Sequence, residues 1–198
     1  MTLDQSGSEM QQLADEFYMF IGNCVSAWAG VEDELFQVCW RVLRCAPEHA
    51  AIVYYRTPNL DARLTLATEL VGSVLPKRNP PSGGHDHPDV RVWRDIETEF
   101  RGLLRVRNRI AHHSVWPTYR MESSDDLMTA PITISGFELY YSRHEELRGR
   151  IAGPALRLED LKNHLNATAI LTSRLHHFLH DVLLPYTRTF VSEGPLPG

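Results

Sequence analysis

The sequence predicts an all-α fold, an antiparallel bundle of four main helices and one short helix, with a small β-hairpin insertion near residues 118–142. Three observations predict it. Apolar residues recur at three- and four-residue steps through four long stretches, the spacing that lines one face of an α-helix. Prolines and turn-forming residues stand at the breaks between those stretches. One segment, Pro131-Ile132-Thr133-Ile134-Ser135-Gly136-Phe137-Glu138-Leu139-Tyr140, changes to the two-residue alternation of a strand. Helix packed on helix is the stable arrangement for such a pattern.

The first nine residues are polar and read as a tail. From Met10 to Arg44, Phe17, Ile21, Cys24, Trp28, Val31, Leu35, Val38 and Val42 form one helical stripe, which Gly22 and Gly30 weaken without ending. Pro47 suits the first turn of a short helix through Tyr54. Thr57-Pro58-Asn59-Leu60-Asp61 opens the next helix, with Leu64, Ala67, Leu70, Val71 and Val74 on its apolar face. Pro76 ends it. Residues 77–88 are rich in proline and glycine and predict a mobile loop. A third long helix spans Asp89 to His113, with Trp93, Ile96, Phe100, Leu104 and Ile110 inward. Pro117 disfavours helical geometry at Trp116, so this helix ends near Ser114. The last helix runs from Leu158 to Leu184 and stops at Pro185, with a tail from residue 192. At 198 residues, one domain over 1–198 is the natural reading.

Composition narrows the function. No apolar run approaches the roughly 20 residues of a membrane helix, and the N-terminus lacks the basic-then-apolar pattern of a signal peptide, so the expected location is the cytoplasm. The net charge of −5 argues against broad, nonspecific affinity for nucleic acid while leaving room for a local basic site. Cys24, Cys39 and Cys45 form no CxxC pair, and the first two lie in an apolar helical stretch as small hydrophobes.

The chemistry concentrates in Arg107-Asn108-Arg109-Ile110-Ala111-His112-His113. A permanent cation, an amide and an imidazole lie within about two turns. Those groups can drive attack of an RNA 2′-hydroxyl on its neighbouring phosphorus. His112 would move the proton, Arg107 would hold the phosphoryl oxygens, and Asn108 would orient either group. No metal or cofactor is required. Residues five apart on an ideal helix point about 140° from each other. Arg107 and His112 therefore converge only if the helix loosens after Ala111 or if two chains bring two motifs together. Arg107 continues the stripe of Phe100, Leu103 and Leu104, so it is expected to be partly buried and to need a partner, with Glu32 or Glu34 as candidates.

Leu103-Leu104-Arg105-Val106-Arg107-Asn108-Arg109-Ile110-Ala111-His112 resembles the R-x4-6-H motif of HEPN domains. Trp28-Ala29-Gly30-Val31-Glu32-Asp33-Glu34-Leu35 resembles the W-x-x-x-E signature on the first helix of several bacterial HEPN-like families, and the likeness spans roughly residues 10 to 185. The resemblance implies an all-α bundle that forms a homodimer with its two motifs facing across the interface. It implies metal-independent endoribonuclease activity in toxin–antitoxin or other defence systems, and so an RNA substrate and an antitoxin or other protein partner. On this resemblance Arg107 and His112 match the catalytic pair and Asn108 the intervening polar position.

Other readings of the same residues stay open. Arg107, Asn108 and His112 also suit a network that terminates a helix, in a catalytically silent module that binds a protein or a nucleotide. His113 reads as a solvent-facing neighbour. His176 and His180 have the i,i+4 spacing of a zinc-binding pair but lack the adjacent glutamate of a helical metalloprotease, and a surface face accounts for them. Asp181 and His164 have no fixed approach to that pair. His85-Asp86-His87 lacks a rigid scaffold. Tyr54-Tyr55-Arg56 offers rings for RNA bases, or one tyrosine packed inward and one covering the end of the short helix.

Overall fold

The computed structural model describes residues 3–75, 87–121, 132–140 and 154–189. Among the described residues the expected class is observed, a mostly helical chain with a two-stranded antiparallel hairpin. In chain order they are α1 (Leu3–Leu43), α2 (Pro47–Arg56), α3 (Leu60–Val74), α4 (Pro88–His112), β1 (Ser114–Met121), β2 (Ile132–Tyr140) and α5 (Leu158–His177). A π-helical segment, Phe178–Leu183, continues α5 into a final short turn, α6 (Leu184–Thr189). Among the described residues no helix is long and apolar enough to cross a membrane.

Several boundaries differ from the sequence expectation. α1 begins at Leu3 rather than Met10: no proline lies between Leu3 and Gln12, and Gly7 weakens the helix without ending it. Pro88, placed at the end of a loop by the sequence, occupies the first turn of α4, where its missing N–H costs nothing. Residues 77–86 of that loop lie outside the described residues, as does the expected tail from 192. The hairpin starts at Ser114, earlier than 118, because Val115 pairs with Leu139 and packs inward. Pro185 does not stop the last helix. A proline ring clashes with the carbonyl four residues back in a regular helix. Here the π segment widens the preceding turn, with the Leu184 N–H bonded to the Leu179 carbonyl, and the chain passes through Pro185 to Thr189.

Local signals set the other ends. Arg44 takes a left-handed φ of 50° after α1, and the Trp40 indole N–H bonds the Cys45 carbonyl at 3.0 Å. The Asn59 side chain accepts the Ala62 N–H at 2.9 Å and caps α3.

The chain divides into two units, and α1, α4 and α5 contribute to both. The first comprises Met1–Ser26 and Val106–Asn166. Its core gathers Phe17, Cys24, Ile110, Leu139, Leu156 and Leu161, and the hairpin is tied in by paired backbone bonds between Leu139 and Leu156 at 2.8 and 3.2 Å. The second comprises Ala27–Arg105 and Ala167–Gly198. Its larger core includes Val31, Leu35 and Cys39 of α1, Tyr54 of α2, Leu64 of α3, Phe100 of α4 and Leu175 of α5. Trp28 meets the Phe100 ring edge-on at 5.4 Å, and Trp93 lies 5.0 Å from Phe178.

Candidate functional site

The motif occupies the last turns of α4, in the first unit. Burial of Ile110 in that unit's core fixes the rotation of the helix there. Asn108 and His112, two and two residues either side of Ile110, are exposed, while Arg107 is half-buried as the stripe predicts. The helix does not loosen after Ala111. It remains α-helical through His112, and the His113 N–H still bonds the Arg109 carbonyl at 3.0 Å. One of the two routes by which Arg107 and His112 could meet is therefore closed within one chain.

What the helix does bring together is Asn108 with each of the other two. Asn108 and His112 stand at i and i+4, neighbours on one face. Arg107 Nη1 donates to Asn108 Oδ1 at 3.2 Å. The amide thus links the guanidinium to the face that carries the imidazole. All three sit at the carbonyl end of the helix, where the dipole favours cations such as Arg107. Arg109 is fastened elsewhere, its Nη2 donating to the Pro154 carbonyl, which anchors the motif to the segment leading into α5.

No protein-family model, curated protein or solved structure matches this chain.

Glu32, a candidate partner of Arg107, is held by another arginine. Its carboxylate accepts from Arg63 Nη1 within the second unit, and Arg63 also lies over the Tyr54 and Tyr55 rings at 5.2 and 5.3 Å. Glu34 faces His176 Nδ1 at 3.1 Å. Both carboxylates are drawn to these partners because α1 carries them among α3 and α5 residues of the same unit. His113 is half-buried rather than solvent-facing, since it is the residue at which the chain turns from α4 into β1.

The His176 and His180 rings lie 4.3 Å apart, both exposed. Among the described residues no three His, Cys, Asp or Glu side chains are grouped to hold a metal ion. His164 is buried, and its burial lowers the pKa to about 4. Of His85-Asp86-His87, only His87 is described, and its Nδ1 accepts the Asp89 N–H at 3.3 Å. Tyr54 packs inward, with its hydroxyl donating to the Glu32 carbonyl at 3.1 Å, while exposed Tyr55 stacks on Phe36 at 5.8 Å. Sequence reasoning missed Arg109 as an anchor and Trp116 and Tyr119 as exposed rings. Arg109 offered no signal, since its partner stands 45 residues away. Trp116 was legible only as the residue before Pro117, and Tyr119 only as falling within the expected hairpin of 118–142.

Proposed function

We propose that this chain is a HEPN-like endoribonuclease that acts as a homodimer without metal. The observation that carries the reading is the Arg107–Asn108 contact one turn before an exposed His112. Because Arg107 and His112 diverge on one regular helix, the composite site needs Arg107 of one chain and His112 of another. The RNA 2′-oxygen attacks phosphorus as His112 removes its proton, and the new P–O2′ bond replaces the P–O5′ bond. The leaving 5′-oxygen takes up a proton from an imidazolium, and a 2′,3′-cyclic phosphate remains. Arg107 neutralises charge on the phosphoryl oxygens as it builds, and Asn108 holds the guanidinium in place. A cytoplasmic toxin or defence component, restrained by an antitoxin or other protein partner, is the biological role that goes with this chemistry.

The test is cleavage of labelled tRNA and total RNA in EDTA by wild type, Arg107→Ala and His112→Ala, each shown folded by circular dichroism. Cutting by wild type alone, with cyclic-phosphate ends, is the expected result. A folded wild type that leaves several RNAs intact refutes the reading.

One observation favours a second reading. The hydrogen bond of Arg107 is to its own helical neighbour, as in a helix-terminating network, and the chain is acidic overall. On that reading the protein is a silent module that binds a protein partner or a nucleotide.

A further inference from the structure

β1 begins two residues after His112, and its side chains do not follow a simple inward–outward alternation. Val115, opposite Leu139, packs into the core of the first unit, so Trp116 faces outward and is 59% exposed. Regular alternation would turn Tyr119 inward with Val115 and Pro117. Tyr119 is nonetheless 61% exposed, beside a register shift between Thr118 and Tyr119 at which Ser135 of β2 is the extra residue. Bulges of this kind re-aim side chains and recur beside functional sites.

Tyr119 borders a groove of about 510 Å³ whose walls include Phe17 and Phe137 and whose polar groups include Ser135, Glu138 and Arg157. Glu138 stands across the ladder from Trp116, and Arg157 neutralises it at 2.7 Å. The groove therefore offers aromatic walls and hydrogen-bonding groups, with Glu138 paired to Arg157 and Glu159 a second carboxylate in the lining. Two large rings left in water gain free energy when a flat apolar surface covers them. The chain places cations of the motif just before the first ring, so the fitting partner joins flat faces to a negative backbone.

We propose that the β1–β2 hairpin is a base-stacking platform for single-stranded RNA, with Trp116 and Tyr119 as its rings and the groove beside Tyr119 receiving one unstacked base. Given the ribonuclease reading on which this rests, the hairpin selects the substrate and the end of α4 cuts it. Single strands present the faces of their bases, whereas a duplex hides them. Stacking also supplies affinity that an acidic chain does not gain from phosphate neutralisation alone.

The experiment measures binding of a labelled single-stranded oligoribonucleotide and of its duplex by anisotropy. It uses His112→Ala protein, so that binding is read without cutting, alone and combined with Trp116→Ala or Tyr119→Ala. Of the four tryptophans, Trp28 and Trp93 are buried and Trp40 is partly covered, so quenching of intrinsic fluorescence reports largely on Trp116. The single strand is expected to bind at least about tenfold more tightly than the duplex, and loss of either ring to weaken it about five- to hundredfold. Equal affinity for strand and duplex, or ring variants that bind like their parent, overturns the platform. If wild type still cuts RNA in that case, the ribonuclease reading stands. A wild type that neither cuts nor binds RNA ends both. Ring variants that lose self-association in light scattering while keeping RNA affinity also overturn the platform and assign the surface to contact between copies of the chain.

Discussion

Arg107 donates to the side-chain oxygen of Asn108 at 3.2 Å, and Asn108 stands one turn before His112 on an exposed face. An exposed side chain at this position adds little to stability. Asn108→Ala is therefore expected to lower RNA cleavage by about a hundredfold, the scale of losing one positioned polar group, while the thermal midpoint moves by only a few degrees. Asn108→Asp converts the contact into an ion pair that neutralises the cation, and it should depress cleavage as well. The measurement is single-turnover cleavage beside a thermal melt. If Asn108→Ala lowers the melt and spares the rate, Asn108 serves the end of the helix and does not position the cation for chemistry.

Much of the fold was legible because it depends on local rules. Periodicity placed each helix, Pro47 and Asn59 marked starts, and the stripe through Leu104 correctly predicted a half-buried Arg107. Pro185 misled, since a proline ends a helix only if no wider turn precedes it, and the π segment is set by tertiary packing of Phe178 and Leu183. Pairings over long sequence separations were not legible. Two carboxylates four and six positions after Trp28 gave no hint that Glu32 meets Arg63 and Glu34 meets His176. The candidate site was legible as residue types, while the direction of each side chain required the helix to be seen unbroken through His112.

The partner of Glu32 leads to a stability prediction. Arg63 joins Glu32 and the faces of Tyr54 and Tyr55 in a largely covered position. Removing either end leaves the other without its counter-charge, and partial solvent access moderates the loss. Glu32→Ala and Arg63→Ala are each expected to cost about 1–2 kcal/mol in urea unfolding, and the double variant little more than one of them. Cleavage per folded molecule should be unchanged in both. A Glu32 variant of full stability and no activity would instead make this residue a support of the motif.

The thiols should divide sharply by burial. Cys24 and Cys39 are buried in the two cores, and burial raises their pKa values to about 11 and about 12. Cys45 is partly exposed beyond the end of α1. Because the thiolate is the reactive form, a disulfide reagent at pH 8 should modify Cys45 alone in the native protein and all three residues in denaturant. Rapid native modification of three thiols would show that the cores open readily.

His164 makes stability depend on pH. It is buried on α5, and desolvation lowers its folded pKa from 6.5 to about 4. Between those values the unfolded chain binds a proton that the folded chain excludes, so stability rises with pH across this window. The contribution is fully present above pH 6.5 and is lost as pH falls toward 4, by up to about 3 kcal/mol. His164→Gln keeps a polar side chain in place and removes the titration. The urea midpoint of wild type should therefore fall between pH 7 and pH 5 by more than that of His164→Gln, with the gap corresponding to about 2 kcal/mol. Carboxylates titrate alike in both proteins and cancel from the difference. Parallel curves for the two proteins would mean that His164 is protonated in the folded state, and that solvent or a counter-charge reaches it there.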